Sequence, residues 1–380
     1  MLLTFGFKNF FSFKEGVDIS FRLDAKCPET ISMGRAHTNV LCVKGANASG
    51  KTHIIRAISF LSDFCARSFA ADPESVIAIE GFYGNHEPTN FYVEFQAVDG
   101  MEYRYELELT EAGVISETLF RTKNKRTKIL ERKANEISYA TKKLDLLKTV
   151  KLRSNASVIS TASQHQLEEL TPVVLFFANI ITNVSFSGLR DRWVSVDVAS
   201  NMLNKTPDLL AFVTEFIREC DVGVENIEIH SAQDDKGKEK KFPVFLHRVG
   251  NDLMPVVDST ESSGTRALFR YLGVYKTMLK TGGVLALDEF DINLHPHILP
   301  KLVNLFLSDE QNPKAAQLLF TTHDGQILDM LGRYRTYLAN KVDNESFAYR
   351  LDEIGGDILR NDRPIFPVYH EGKIGGVPKI

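Results

Sequence analysis

Cysteine is scarce in this sequence and follows no pattern. Cys27, Cys42, Cys65 and Cys220 stand apart with no CxxC pair, which argues against a disulfide framework or a thiol-built zinc site. No apolar run approaches the roughly 18 to 20 residues that a membrane span requires. The opening Met1-Leu2-Leu3-Thr4-Phe5-Gly6-Phe7-Lys8 lacks the basic-then-apolar order of a secretory signal. A cytoplasmic chain with no membrane partner is therefore expected. Neither sign of charge is in excess: 45 Lys and Arg against 49 Asp and Glu leave a formal net charge of -4. Global attraction to nucleic acid is thus missing, and only a local patch could supply it. Internal repeats and long heptad runs are also missing, which excludes solenoids and coiled coils. The 380 residues suffice for one large domain or two modest ones with a substantial core.

Against these absences stands Gly45-Ala46-Asn47-Ala48-Ser49-Gly50-Lys51-Thr52, between an apolar run and an amphipathic stretch. Glycines at such a loop let successive backbone N–H groups turn toward a phosphate, and a following helix adds the positive end of its dipole. Lys51 is placed to reach the terminal phosphates of ATP and Thr52 to ligate Mg²⁺. The flanks agree. Val40, Leu41, Cys42 and Val43 read as a buried strand, while Ile54, Ile55, Ala57, Ile58, Leu61 and Phe64 recur at helical spacing.

The N-terminal residues alternate at period two, Leu3, Phe5 and Phe7, then Val17, Ile19 and Phe21 beyond Lys14-Glu15-Gly16, which predicts two antiparallel strands. A hairpin is predicted at Asp99-Gly100, between Phe91–Ala97 and Tyr103–Leu109, with a third strand to Leu119. Residues 121–153 form the one basic segment, carrying Lys123, Lys125, Arg126, Lys128, Arg132 and Lys133 among others. It reads first as a solvated hairpin or helical face, because aromatic interleaving is missing, and second as a contact for nucleic acid or an acidic partner. Gln166 to Phe186 looks helical and apolar. Thr206-Pro207 opens a helix running through Ile217 and ending before Gly223. The polar run Ser231 to Lys241 reads as a loop or mobile insertion.

A phosphate loop needs acids at the end of a second buried strand, and Gly283-Val284-Leu285-Ala286-Leu287-Asp288-Glu289 supplies them. Asp288 is placed for the Mg²⁺ shell and Glu289 to orient or deprotonate the attacking water. Ala316 to Phe320 forms another buried strand, ending at Thr321-Thr322-His323-Asp324, where His323 can sense the γ-phosphate. His295 and His297, around Pro296, read either as a capping loop or as a reach across a subunit interface. Finally, Ser262, Ser263, Gly264 and Thr265 precede a helical pattern and offer a second anion site at a helix start.

Together these residues resemble the ABC-type ATPases that include SMC, RecF and OLD-family heads. The 262–265 segment resembles their signature motif, though Ser263 stands where glycine is usual and Thr265 where glutamine is usual. Lys8-Asn9-Phe10-Phe11-Ser12-Phe13, Leu287–Asp291 with Leu294-His295-Pro296, Thr321–Asp324 and the tail Tyr369–Ile380 resemble the AbiLi/RloA-like abortive-infection ATPases more specifically. The resemblance implies an α/β ABC-type P-loop ATPase head with an antiparallel β subdomain and an inserted helical and basic region. The expected divisions are 1–120, 121–230 and 231–380. It also implies ATP and Mg²⁺ as ligands, a homodimer or higher homo-oligomer, and an antiphage role beside a separately encoded nuclease or toxin, TOPRIM-like and of the RloB/AbiLii type. Asp343, Glu345, Asp352, Glu353 and Asp357 show no metal-ligand spacing, so no nuclease is expected in the chain itself. The alternative is a RecF- or SMC-like repair ATPase contacting DNA through 121–153.

Overall fold

The computed structural model describes residues 1–377 apart from 191, 222, 234, 357 and 362. In chain order it opens with β1 (Leu2–Lys8), β2 (Val17–Ser20), the short α1 (Glu29–Ser32), β3 (Val40–Gly45) and α2 (Lys51–Arg67). A run of strands follows: β4 (Thr89–Gln96), β5 (Glu102–Thr110), β6 (Gly113–Thr122), β7 (Arg126–Lys133) and β8 (Glu136–Ala140). Next come α3 (Val158–Gln164), α4 (Thr171–Ala178), β9 (Ile180–Thr182), β10 (Val184–Ser185), β11 (Gly188–Leu189), α5 (Val196–Lys205) and α6 (Pro207–Cys220). The remainder is β12 (Val224–Gln233), β13 (Glu239–Val249), β14 (Asp252–Val257), α7 (Ser263–Thr281), β15 (Val284–Leu287), α8 (Ile298–Leu307), β16 (Gln317–Thr321), α9 (Ile327–Leu331), β17 (Thr336–Val342), β18 (Glu345–Arg350) and α10 (Phe366–His370).

Two compact units result. One comprises Met1–Leu189, Gly282–Phe290 and Ala315–Ile380; the other comprises Arg190–Thr281 and Asp291–Lys314. The expected cuts after 120 and 230 fall elsewhere, because they would sever β6 and β12 in mid-strand. Charge composition alone favours the first of those cuts. Strand pairing overrules it, since β7 and β8 continue the sheet that β1 begins.

The first unit holds two large sheets and the two-stranded β10-β11 ribbon. A six-stranded sheet in the order β18-β17-β3-β16-β15-β9 is parallel except at its β18 edge. Its central strands are apolar at nearly every position and buried throughout, as strands covered on both faces must be. A seven-stranded antiparallel sheet runs β2-β1-β4-β5-β6-β7-β8, and in β5 burial alternates residue by residue, leaving one face wet. Helix α2 packs between the sheets: Ile54, Ile55, Ile58 and Leu61 join one core with Phe5, Val93 and Leu41. Phe60 of α2 stacks on Phe91 of β4 at 5.1 Å. Gln317 bridges the sheets, accepting from Leu2 N at 2.6 Å and donating to Leu2 O at 2.8 Å.

Several local expectations change. The stretch 166–186 is helical only to Ala178; Ile180-Ile181-Thr182 then pairs in parallel with Val284–Ala286 as the sheet's edge strand. β-branched side chains and a buried partner outweigh local helix pattern there. The Ser231–Lys241 run is the tip of a long hairpin, Ser231 pairing with Lys241 and Gln233 with Glu239, while Asp234 lies outside the described residues. The basic segment is the β7–β8 hairpin and the turn after it. Arg126 pairs with Glu94, Lys128 with Glu131, Lys143 with Glu169 and Lys148 with Asp145. Arg132 is fully buried against Glu117 at 2.7 Å. The tail folds back on its own sheet: Tyr369 OH donates to Gly376 O at 2.9 Å, and Gly376 N donates to Asn340 Oδ1 at 2.6 Å. Pro378, Lys379 and Ile380 lie outside the described residues.

Candidate nucleotide site

The loop between β3 and α2 turns where the sequence placed it. Gly45 is extended against β17 so closely that a Cβ would lie 2.3 Å from Ala339 O. Ala48 and Gly50 adopt positive φ, 61° and 103°, and a Cβ on Gly50 would lie 2.8 Å from both Phe13 and Ser346. The crown, Asn47 and Ala48, is exposed, whereas Ser49 and Lys51 are buried. Lys51 Nζ donates to Gly45 O and Ala46 O, each at 2.9 Å, arching the ammonium over the loop. Burial pulls its pKa down, and the Asp288 carboxylate opposes that shift. Ser49 Oγ is buried with no hydrogen-bond partner, an orphaned donor inside the cradle. Close backbone approach, an orphaned hydroxyl and a lysine at a helix start fit a polyphosphate.

Asp288 is held on both oxygens. Thr52 Oγ1 donates to its Oδ2 at 2.7 Å and Thr321 Oγ1 to its Oδ1 at 2.6 Å. The Thr321 hydroxyl also accepts from Glu289 N at 2.8 Å. Glu289 has φ 48°, an unusual conformation for a residue with a Cβ. His323 Nε2 lies 4.0 Å from Glu289 Oε1, both side chains remaining accessible. Thr52, Asp288, Glu289 and His323 thus meet at the carboxyl ends of three neighbouring parallel strands, where open α/β sheets bind their ligands. A hard cation would find the Thr52 hydroxyl and the Asp288 carboxylate side by side, an oxygen donor set suited to Mg²⁺.

Other residues emerge only from the structure. Asn183, just past β9, grips Asp288 by its backbone, donating to Asp288 O at 2.7 Å and accepting from Asp288 N at 2.8 Å. Lys44 Nζ donates to His323 O at 2.8 Å and so fixes the turn that carries the histidine. Ser346 Oγ donates to Ser12 Oγ at 2.7 Å, and Ser12 Oγ lies 2.7 Å from His53 Nδ1, tying the first turn of α2 to both sheets. His53 stacks on Phe11 at 4.8 Å, and burial brings its pKa down to about 4, so the ring is neutral near pH 7. Asn183 carries no motif of its own, and the 8–13 motif that contains Ser12 does not point to His53; only strand order brings these residues here.

The Ser262–Thr265 segment belongs to the other unit, at the start of α7. Ser262 Oγ accepts from Thr265 N at 3.1 Å and caps the helix. Thr265 is buried and its hydroxyl donates to Asp221, whereas Ser262 and Ser263 are exposed. His295 and His297 pack edge to face at 5.0 Å in the same unit.

A phosphate loop on a mostly parallel sheet, an acid pair on the strand beyond its neighbour, a histidine strand between them and an antiparallel subdomain give the chain the fold of an ABC-type P-loop head. The chain belongs to the family described as "AAA domain, putative AbiEii toxin, Type IV TA system", whose profile matches residues 40–329. Among solved structures it is similar to an SMC head bound to the C-winged helix domain of ScpA, with TM-score 0.54 and 13% identity over 93% of this chain and 99% of that chain. The recombination mediator protein RecF of the RecFOR pathway matches at TM-score 0.41 and 13% identity, covering 92% of this chain and 98% of that one. No curated protein matches the sequence. Among the described residues no helix is long and apolar enough to cross a membrane.

Proposed function

We propose that this chain is a Mg²⁺-dependent ATP hydrolase, two copies of which close head to head around two nucleotides. Each site then combines the phosphate loop of one copy with Ser262, Ser263 and Gly264 of the other. We further propose that it is AbiLi/RloA-like: opening and closing control a separately encoded nuclease or toxin in an abortive-infection response to phage. The observation that carries the enzymatic reading is the clamp on Asp288, which fixes one carboxylate beside Thr52 and leaves its neighbour Glu289 accessible beside His323.

In this reading Lys51 neutralises the terminal phosphates, and Glu289 orients the attacking water and takes its proton. His323 donates a hydrogen bond toward the γ-phosphate or the water. Mg²⁺ held by Thr52 and Asp288 supplies charge neutralisation at the phosphate oxygens. Closure follows from differential affinity: ATP favours the joined state and product release the open one. The ion pairs along 121–153 favour a structural role for that segment over direct DNA contact.

The test is Glu289→Gln. ATP affinity is expected to stay within about threefold of wild type while turnover falls by roughly 100-fold or more. Light scattering should then show an ATP-dependent dimer. Wild-type turnover would remove Glu289 from the chemistry, and a monomer under saturating ATP would remove the sandwich.

A further inference from the structure

Along α2, on the flank that leads away from the phosphate loop, lies a cavity of about 480 Å³ whose walls are mainly aromatic and aliphatic: Phe10, Phe11, Phe60, Phe64, Ile77 and Phe186. Its size falls in the range of small-ligand sites, roughly 300–1,000 Å³. Charged lining groups are few. Asp63 and Arg67 are spent on each other at 2.5 Å. Arg56 makes no close ion pair: its guanidinium lies over the face of Phe11 at 4.7 Å, its Nε is buried with no hydrogen-bond partner, and the carboxylates nearest in effect, Asp288 and Glu80, act on it only through space. Ser59 and Asn155 already hydrogen-bond within the chain. An apolar chamber with one unpaired, half-buried cation is complementary to a molecule with an apolar body and a single anionic head, since a guanidinium in such surroundings gains most from a charged acceptor.

We propose that this cavity binds a small amphipathic anion, an aromatic or branched apolar body bearing one carboxylate, sulfonate or phosphate, with the head on Arg56 and the body among the phenylalanines. The site is separate from the phosphate loop yet shares its helix, because Arg56 lies one turn beyond Thr52 on α2. Occupancy therefore acts on the same element that carries Lys51 and Thr52, and ligand and nucleotide alter each other's affinity by one common factor.

The probe is 1-anilinonaphthalene-8-sulfonate, titrated by fluorescence and calorimetry against its uncharged counterpart N-phenyl-1-naphthylamine, on the full chain. One sulfonate probe per chain is expected, retained in Lys51→Ala and not competitively displaced by saturating ATP and Mg²⁺. Arg56→Met should weaken it by about tenfold or more, the scale of a lost charge-assisted hydrogen bond, while Arg56→Lys keeps most of the affinity. Val76→Glu, at a cavity-lining position 72% exposed, should weaken the anion several-fold and leave the uncharged probe unchanged. Undiminished sulfonate binding by Arg56→Met would overturn the proposal. So would competitive displacement by ATP, which would assign the probe to the phosphate loop, or equal loss of charged and uncharged probes.

Discussion

Thr321 stands at the end of β16 with a hydroxyl that donates to Asp288 Oδ1 and accepts from the Glu289 amide, so one small side chain orients both acids of the site. Thr321→Val keeps the shape and removes both bonds. A buried carboxylate oxygen and an amide are then left unpaired, at about 1–3 kcal/mol each. Turnover is expected to fall by roughly 10- to 100-fold because the acids are no longer pre-oriented, with ATP affinity changed by less than about threefold. Steady-state kcat beside an equilibrium nucleotide titration checks this, and Thr321→Ser should restore most of the rate. A Thr321→Val enzyme with normal kcat would assign the orientation elsewhere. At this scale the loop residues and Asp288 were legible in the sequence, since their spacing is dictated by the phosphate they would face. Asn183 and Thr321 were not legible as partners of Asp288. Their roles depend on which strands lie beside β15, a relation fixed by pairing between segments more than 30 residues apart.

Strand β7 shows how an element can mislead when read by composition. Its lysines and arginines count as a basic patch until their partners appear: Lys128 pairs with Glu131 within the strand, and the arginines with Glu94 and Glu117 from other strands. The Arg132–Glu117 pair is the deepest of them. Arg132 also donates to Ala134 O, Ala156 O and Arg153 O, while Glu117 accepts from Tyr105, Ser157 and the Val158 amide. The network joins β5, β6 and β7 to the start of α3. Arg132→Met strands the carboxylate in the interior and is expected to cost about 3–5 kcal/mol, read as a lower urea midpoint at unchanged slope. Glu117→Gln combined with Arg132→Met should recover part of that loss, because no uncompensated charge remains. Equal midpoints for single and double variants would show that shape, not charge, carries the effect. The misread helix at 180–186 has the same origin. A short apolar run is compatible with helix or strand, and only the vacant edge beside β15 decides between them.

At the scale of the whole molecule, the chain leaves and re-enters its larger unit around Gly282–Phe290, the segment that carries Asp288 and Glu289. The phosphate loop and the acid pair therefore lie in one unit, and Ser262, Ser263 and Gly264 in the other. A proposed site that takes its two halves from different copies has a consequence no single-chain site shares. Lys51→Ala should abolish nucleotide binding at its own loop, and Ser263→Arg, at an exposed position, should block only the face offered to a partner. Each variant alone is inactive. Mixed in equal amounts and allowed to exchange, half of the dimers pair one of each, and each such dimer holds one site with an intact loop and an intact cap. About a quarter of the wild-type number of sites should then form, by the counting that two-fold symmetry imposes. Read as a single-turnover burst, so that alternation between sites does not enter, the mixture should yield about a quarter of the wild-type amplitude. A silent mixture would place the loop and the serines that serve it in one copy of the chain, and with them the whole of the catalytic site.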